Sequence, residues 1–246
     1  AFVGKLDALG QIVWSRSFPR AVGLSVASGT GGLVASSGQF SYESDFGSGP
    51  VKAQGGSDGY IVALDAAGQS LWSRTLGSAN SVAAAVVFDS SNSLVVAGSF
   101  TGVSDLGGSL LTSWGGSDMF VAKFDGAGKH TWSHRFGDSF ADAATDVAVD
   151  SADNIVVAGR FAGTVDFGGG PLTTSKGQVR AFVLKLAPDG GHVWSRMLAD
   201  GKPDLAIDSS GAVAVAVRGG VLTVLEASGA LRWSAPVTAP FTTVSA

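Results

Sequence analysis

The sequence predicts an all-β chain, a β-propeller of about five four-stranded antiparallel blades, four complete and one partial. Three observations predict it. One hairpin motif recurs five times, apolar and polar residues alternate inside each repeat, and 36 of the 246 residues are glycine. Glycine at about twice its usual share, with no collagen period, means many turns and therefore short strands.

The recurring segments are LDALGQIVW (6–14), LDAAGQSLW (64–72), FDGAGKHTW (124–132), LAPDGGHVW (186–194) and LEASGALRW (225–233). Their tryptophans, Trp14, Trp72, Trp132, Trp194 and Trp233, are spaced by 58, 60, 62 and 39 residues. Between them lie four strands per unit. In the third interval ATDVAVD (144–150) alternates as a half-buried strand does, SADN (151–154) is a turn cluster, and IVVAGRF (155–161) is a β-branched strand. AFVLKLA (181–187) alternates again, PDGG (188–191) turns, and HVWSRML (192–198) returns. The same parts recur at 82–100 with 119–137 and at 22–40 with 59–76. No segment shows a 3.6-residue period, so no helix is expected. Repeated four-stranded units of this size are the mark of a propeller.

The units fall at about 1–57, 58–117, 118–179, 180–220 and 221–246 of a single domain. Three exceed a WD40 blade of roughly 40–45 residues because an excursion interrupts them between strands two and three. The excursions are 40–58, 100–118 and 161–179, where the last unit turns through Gly219-Gly220. The first hairpin has no strands one and two before it. Either the tail (237–246) pairs with that hairpin and closes a five-bladed ring, or the chain is a piece of a longer array.

Residues 118–175 carry DMFVAKFDGAGKHTWSHRFG and DVAVDSADNIVVAGRFAGTVDFGGG. This pattern resembles the bacterial SBBP-type β-propeller repeat across the whole chain, and its D-x-x-G-x-x-x-W core is also similar to the blade motif of quinoprotein propellers. The resemblance implies a secreted or cell-surface protein. It implies little about activity, since propellers host many unrelated ones.

Composition excludes several classes. The net charge is −4 and the pI about 5.2, which disfavours a general nucleic-acid binder. There is no cysteine, hence no disulfide scaffold, thiolate nucleophile or cysteine-ligated metal. No run of 18 apolar residues offers a membrane-spanning helix. No Walker or Rossmann glycine pattern stands between a strand and a helix, and no cofactor or metal is assigned.

Several residue types recur at fixed places in the repeat. The five tryptophans read as wedges between blades, each with one N–H to satisfy. Asp45, Asp105 and Asp166 repeat at one place in the excursions, where carboxylates could hold Ca²⁺ or form Asp-Gly turns. Asp58 and Asp118 open a strand, and Asp7, Asp65 and Asp125 form hairpin turns. Arg16, Arg74 and Arg196 follow Trp-Ser and could grip an anion or lie over a neighbouring aromatic. Trp114 breaks the symmetry, aligned with polar Gln54 and Lys176, so it is expected at the surface as a stacking platform, with Tyr42 near it if the excursions share a face. His130 and His134, four apart on a strand, are about 13 Å apart at ~3.3 Å per residue, too far for one zinc. No nucleophile and base stand at a recognisable spacing.

The expected function is therefore a non-catalytic binding or adhesion module for a glycan or protein, secreted or on a bacterial surface. Alternatives are a structural repeat segment of a larger surface protein and, least supported, a hydrolase or lyase with an axial site.

Overall fold

Alternation becomes strand wherever the sequence shows it. The computed structural model describes residues 1–78, 80–217 and 220–237. Strands β1 (Phe2–Leu6) and β2 (Ile12–Ser17) form a lone hairpin. Next come β3 (Ala21–Ser28), β4 (Val34–Phe40), a small hairpin of β5 (Glu43–Asp45) and β6 (Pro50–Lys52), then β7 (Asp58–Leu64) and β8 (Ser70–Thr75). The second unit is β9 (Asn80–Phe88), β10 (Leu94–Thr101), small β11 (Val103–Ser104) and β12 (Leu111–Thr112), then β13 (Asp118–Phe124) and β14 (His130–Phe136). The third is β15 (Ala143–Val149), β16 (Ile155–Ala162), small β17 (Thr164–Asp166) and β18 (Pro171–Thr173), then β19 (Val179–Leu186) and β20 (His192–Met197). The fourth has no excursion: β21 (Pro203–Ile207), β22 (Val213–Val217), β23 (Val221–Leu225) and β24 (Leu231–Pro236).

The result is four complete blades, β3-β4-β7-β8, β9-β10-β13-β14, β15-β16-β19-β20 and β21-β22-β23-β24, preceded by half a blade. Every pairing within a blade is antiparallel. Each blade begins at its first strand, so a unit counted from one third strand to the next straddles two sheets. Among the described residues the only helical element is a 3-10 turn at Thr30–Gly32. The expected pairing of the tail lies, beyond Val237, outside the described residues.

Consecutive blades pack through their first strands, β3 against β9, β9 against β15 and β15 against β21. Ala35 and Ile61 of the first blade share a core with Val86, Val96 and Phe100 of the second. Ala85, Val95 and Val121 of the second share one with Val147, Val157 and Leu184 of the third. Each fully buried Val, Leu or Phe contributes about 1.5–3 kcal/mol, so the faces between blades hold the fold together.

The tryptophans latch those faces. Indole Nε1 of Trp14, Trp72, Trp132 and Trp194 donates to a turn carbonyl of the next blade: Ala66 (3.0 Å), Gly126 (3.2 Å), Pro188 (3.1 Å) and Ala227 (3.0 Å). The ring lies on the turn glycine. A Cβ at Gly128, whose φ is +78°, would stand 2.5 Å from Trp72 Cδ2. Glycine is thus required twice over, by conformation and by the ring. Asp7, Asp65 and Asp125 each close such a turn by accepting two backbone N–H groups on Oδ1. Trp233, the fifth of the series, is exposed, and among the described residues nothing lies within 4 Å of a Cβ at Gly10, the turn glycine of the half-blade.

Two lysines add buried ties. Lys123 Nζ meets Asp89 Oδ2 at 2.8 Å and donates to Pro188 O of the next blade at 3.3 Å. Lys185 does the same with Asp150 (2.8 Å) and Ala227 O (3.2 Å).

Candidate functional site

The excursions are short hairpins folded by their aspartates. Asp45 Oδ1 accepts from Gly47 N (2.7 Å) and Gly49 N (3.1 Å), and Asp166 Oδ1 accepts from Gly168 N (2.7 Å) and Gly170 N (3.1 Å). Asp105 Oδ1 accepts from Gly107 N at 2.8 Å. The next residue, Phe46, Leu106 or Phe167, is buried in the core. Ser44 Oγ donates to Pro19 O (2.7 Å) and Ser104 Oγ to Leu76 O (2.6 Å), which ties each hairpin to the end of the preceding outer strand. The three aspartates therefore sit on three separate hairpins, each turned toward its own backbone. Among the described residues no group of three His, Cys, Asp or Glu is placed to hold a metal ion.

Tyr42 and Trp114 are both exposed, and each faces its own arginine instead of the other ring. Arg20 lies 5.6 Å from the Tyr42 centroid, and Arg135 lies 4.4 Å from that of Trp114. Tyr42 has φ +63° at the place where the other excursions have Gly102 and Gly163. Of the motif arginines, Arg74 lies 5.4 Å over Phe124 and donates through Nε to Gly128 O at 2.8 Å, while Arg16 donates to Gly68 O. These two are spent between blades.

Trp114 is the better-built platform. The residue is 63% exposed. Asp118, the buried first residue of β13, accepts Trp114 N (3.1 Å) and Arg135 Nη1 on the same oxygen, Oδ2. One buried carboxylate thus holds both the backbone that carries the ring and the cation stacked on it.

Beside it lies a cleft that the sequence reading missed. The loop between β14 and β15 carries Phe140, which is exposed. Gly116 N donates to Ser139 O (3.2 Å) on one side of this loop, and Thr164 N donates to Asp138 Oδ2 (2.8 Å) on the other. The loop is clamped between the second and third excursions. Phe140 forms one wall of a cleft of about 500 Å³, whose other walls include Thr164, Thr173, Ser175, Lys176 and Gln178. The two threonine hydroxyls lie 3.0 Å apart. The only sequence signal for this loop is its length: it runs over 137–142, longer than the other connections between blades.

The loop ends on a fully buried carboxylate, Asp142. Burial pushes the Asp142 carboxyl up to about 6, with the charges of Asp138 and Asp118 adding to it. Hydrogen bonds from Asp138 N (3.0 Å) and Ala162 N (3.1 Å) offset part of that rise. In the preceding blade Ser81 occupies the corresponding place and donates to Asp58 at 2.8 Å.

Two His–Ser pairs also appear, His130 Nε2 with Ser133 Oγ at 3.0 Å and His192 Nε2 with Ser195 Oγ at 3.2 Å. The motif H-x-W-S places them, and they repeat in adjacent blades. Excursion backbone at Gly108 and Gly169 covers the imidazoles so closely that a Cβ there would overlap each ring.

No family model matches the chain. Over 159 residues, 52% of the chain, it is 25% identical to an uncharacterized WD repeat-containing protein of Acanthamoeba polyphaga mimivirus, 11% of which is covered. The Dos1 propeller superposes with a TM-score of 0.56 at 15% identity, covering 97% of this chain and 54% of that one. A europium-containing methanol dehydrogenase gives 0.55 at 13% identity, covering 93% and 46%. A protein of unknown function from Bacteroides caccae gives 0.51 at 13% identity, covering 93% and 66%. The chain spans less than two thirds of each of these proteins. The likenesses show the β-propeller fold, and at these identities they carry no activity across.

Proposed function

We propose that this chain is a non-catalytic binding module built from SBBP-type repeats, belonging to a secreted or surface bacterial protein, and that its ligand is a glycan held at Trp114 and the Phe140 cleft. One observation carries the reading: an exposed indole is pinned by a stacked arginine and a buried carboxylate, beside a cleft lined by an aromatic ring and hydroxyls. A sugar has apolar C–H faces for the ring and hydroxyls for the cleft, which is the mix that binding sites of this kind present. The absence of catalysis is supported by the His–Ser pairs, which are covered by backbone and repeated as packing units.

A glycan array with the purified chain tests this. Reproducible binding is expected, lost in Trp114→Ala and weakened in Phe140→Ala, with thermal midpoints within about 1 °C because both side chains are exposed. Chelator leaves binding unchanged, since Asp45, Asp105 and Asp166 already cap their own turns. A blank array from folded protein refutes the glycan reading. A structural segment of a larger protein is the second reading, favoured by Trp233 and Gly10, two halves of a latch that do not meet. An intact mass of the natural gene product well above 24.6 kDa would support it.

A further inference from the structure

Two buried carboxylates meet behind Trp114 and Phe140. Asp118, at the start of β13, and Asp142, at the end of the loop between β14 and β15, are both wholly buried. Asp118 Oδ2 accepts Trp114 N and Arg135 Nη1. The other oxygen, Oδ1, has no hydrogen-bond partner among the described residues. Asp142 stands beside it. A Cβ on Gly137 would lie 2.7 Å from Asp118 Oδ1 and 2.9 Å from Asp142 Oδ2, so both oxygens border the space this glycine leaves free. A buried carboxylate oxygen without a donor is costly, and a second negative charge next to it adds to that cost.

The preceding blade shows how such an oxygen is satisfied. There the same two places hold Asp58 and Ser81, joined by the same backbone bond: Ser81 N donates to Ser57 O (3.4 Å) as Asp142 N donates to Ser117 O (2.7 Å). The Ser81 hydroxyl donates to Asp58 at 2.8 Å. A carboxylate at position 142 has no proton to give, and a carboxylic acid has one. The charges facing Asp142 favour the acid. Asp118 and Asp138 are negative, and Arg135, the cation of the cluster, is already paired with Asp118. From β16 and the third excursion the described contacts are backbone amides, Ala162 N to Asp142 Oδ1 (3.1 Å) and Thr164 N to Asp138 Oδ2 (2.8 Å).

We propose that Asp142 and Asp118 form a proton-binding site: Asp142 carries one proton, donates it to Asp118 Oδ1 as Ser81 donates to Asp58, and thereby latches the loop that carries Phe140. The proton belongs to the pair and passes to water when the site opens. The loop is clamped at Asp142 N to Ser117 O and at Gly116 N to Ser139 O (3.2 Å), and the Asp142 carboxyl also receives Asp138 N (3.0 Å). Losing the proton leaves two facing negative charges in a buried place. Hydration relieves them, and hydration requires the loop to move outward. A carboxyl raised in the closed form stabilises that form at low pH, and the contribution is lost as pH rises through the closed-form value. The cleft beside Phe140 is therefore fixed in acid and loosened near neutrality, whether or not its ligand is a glycan.

Infrared spectra and amide hydrogen exchange of the full chain, taken across the pH range that spans the titration, test the site. The wild-type spectrum minus that of Asp142→Ser is expected to show a protonated-carboxyl stretch in acid that is lost with a midpoint at about 6. Asp142→Asn gives the same difference, and both variants keep a donor for Asp118. After correction for intrinsic exchange, protection of the Gly116 amide and of the amide at position 142 falls about tenfold per pH unit above the midpoint, and stays level in both variants. Asp118→Asn removes the facing charge and lowers the midpoint. A difference spectrum without the band, protection equal on both sides of the midpoint, or an unchanged midpoint in Asp118→Asn overturns the proposal.

Discussion

Replacing Lys123 by Met removes one member of a buried ion pair and keeps the volume of the stem. The side chains of Lys123 and Asp89 are almost wholly buried, and Nζ meets Oδ2 at 2.8 Å. Pro188 O keeps its bond from Trp132 Nε1 (3.1 Å), so the carbonyl is not orphaned. Asp89 Oδ1 keeps the N–H groups of Ser91 and Ser93, both at 2.9 Å, but Oδ2 loses its partner. Breaking a buried pair on one side costs about 3–5 kcal/mol, and the surviving bonds to Oδ1 place this case near 3. The companion Asp89→Asn retains the turn cap and removes the charge. The double variant is expected to recover about 2 kcal/mol relative to additivity. Urea unfolding followed by tryptophan fluorescence measures all four proteins.

The pH dependence supplies an internal check. Burial raises the Asp89 carboxyl, but its bonds from Lys123, Ser91 and Ser93 outweigh that and hold it below its usual value of 3.8. A depressed carboxyl stabilises the fold above its unfolded value and loses that contribution as pH falls through the folded one. Without the lysine, only the bonds from Ser91 and Ser93 oppose burial, and the carboxyl rises. The gap between wild type and Lys123→Met therefore narrows as pH falls below about 5, when protonation relieves the variant. A Lys123→Met protein within 1 kcal/mol of wild type at pH 7, or a double variant that is simply additive, would refute the reasoning.

Three further outcomes follow from the same geometry. Trp72→Ala should lower stability by about 3 kcal/mol or more, because the indole spans two blades, while Trp233→Ala, 44% exposed and with no turn beneath it among the described residues, should cost under about 1 kcal/mol by thermal melting. The Asp142 carboxyl is raised from 3.8 to about 6, so the fold favours its protonated form; this contribution is complete below about 4 and lost as pH rises through 6, about 3 kcal/mol at most. Urea midpoints at pH 4.5 and 7.5 should show that fall, and Asp142→Ser, the residue found at Ser81, should flatten it; a variant that keeps the wild-type profile would assign the fall elsewhere.

Much of the fold was legible before any coordinates. The strand limits around 143–162 and 179–197 follow alternation within a residue or two, because the period is a property of neighbouring side chains. The turn role of Asp7, Asp65 and Asp125 was legible too, since each cap reaches only two and four residues along the chain. The exposure of Trp114 was readable from Gln54 and Lys176 at the same place. Its partners were not. Arg135 reaches it through Asp118, and Phe140 reaches its cleft through a loop clamped by two different excursions.

The sequence by itself determined the all-β class, the four complete blades and a half, the order of strands in each and the chemistry of their turns. These are local choices, each decided within a few residues by alternation, glycine and aspartate. Only the tertiary structure decided how blades meet. The indole of one blade finds a carbonyl of the next 33 to 56 residues away, and Lys123 finds Pro188 65 residues away. It also decided which apolar side chains stay in water. Phe2 and Val26 follow the same register as buried Phe120 and Val86, and they are exposed because, among the described residues, no strand lies between them.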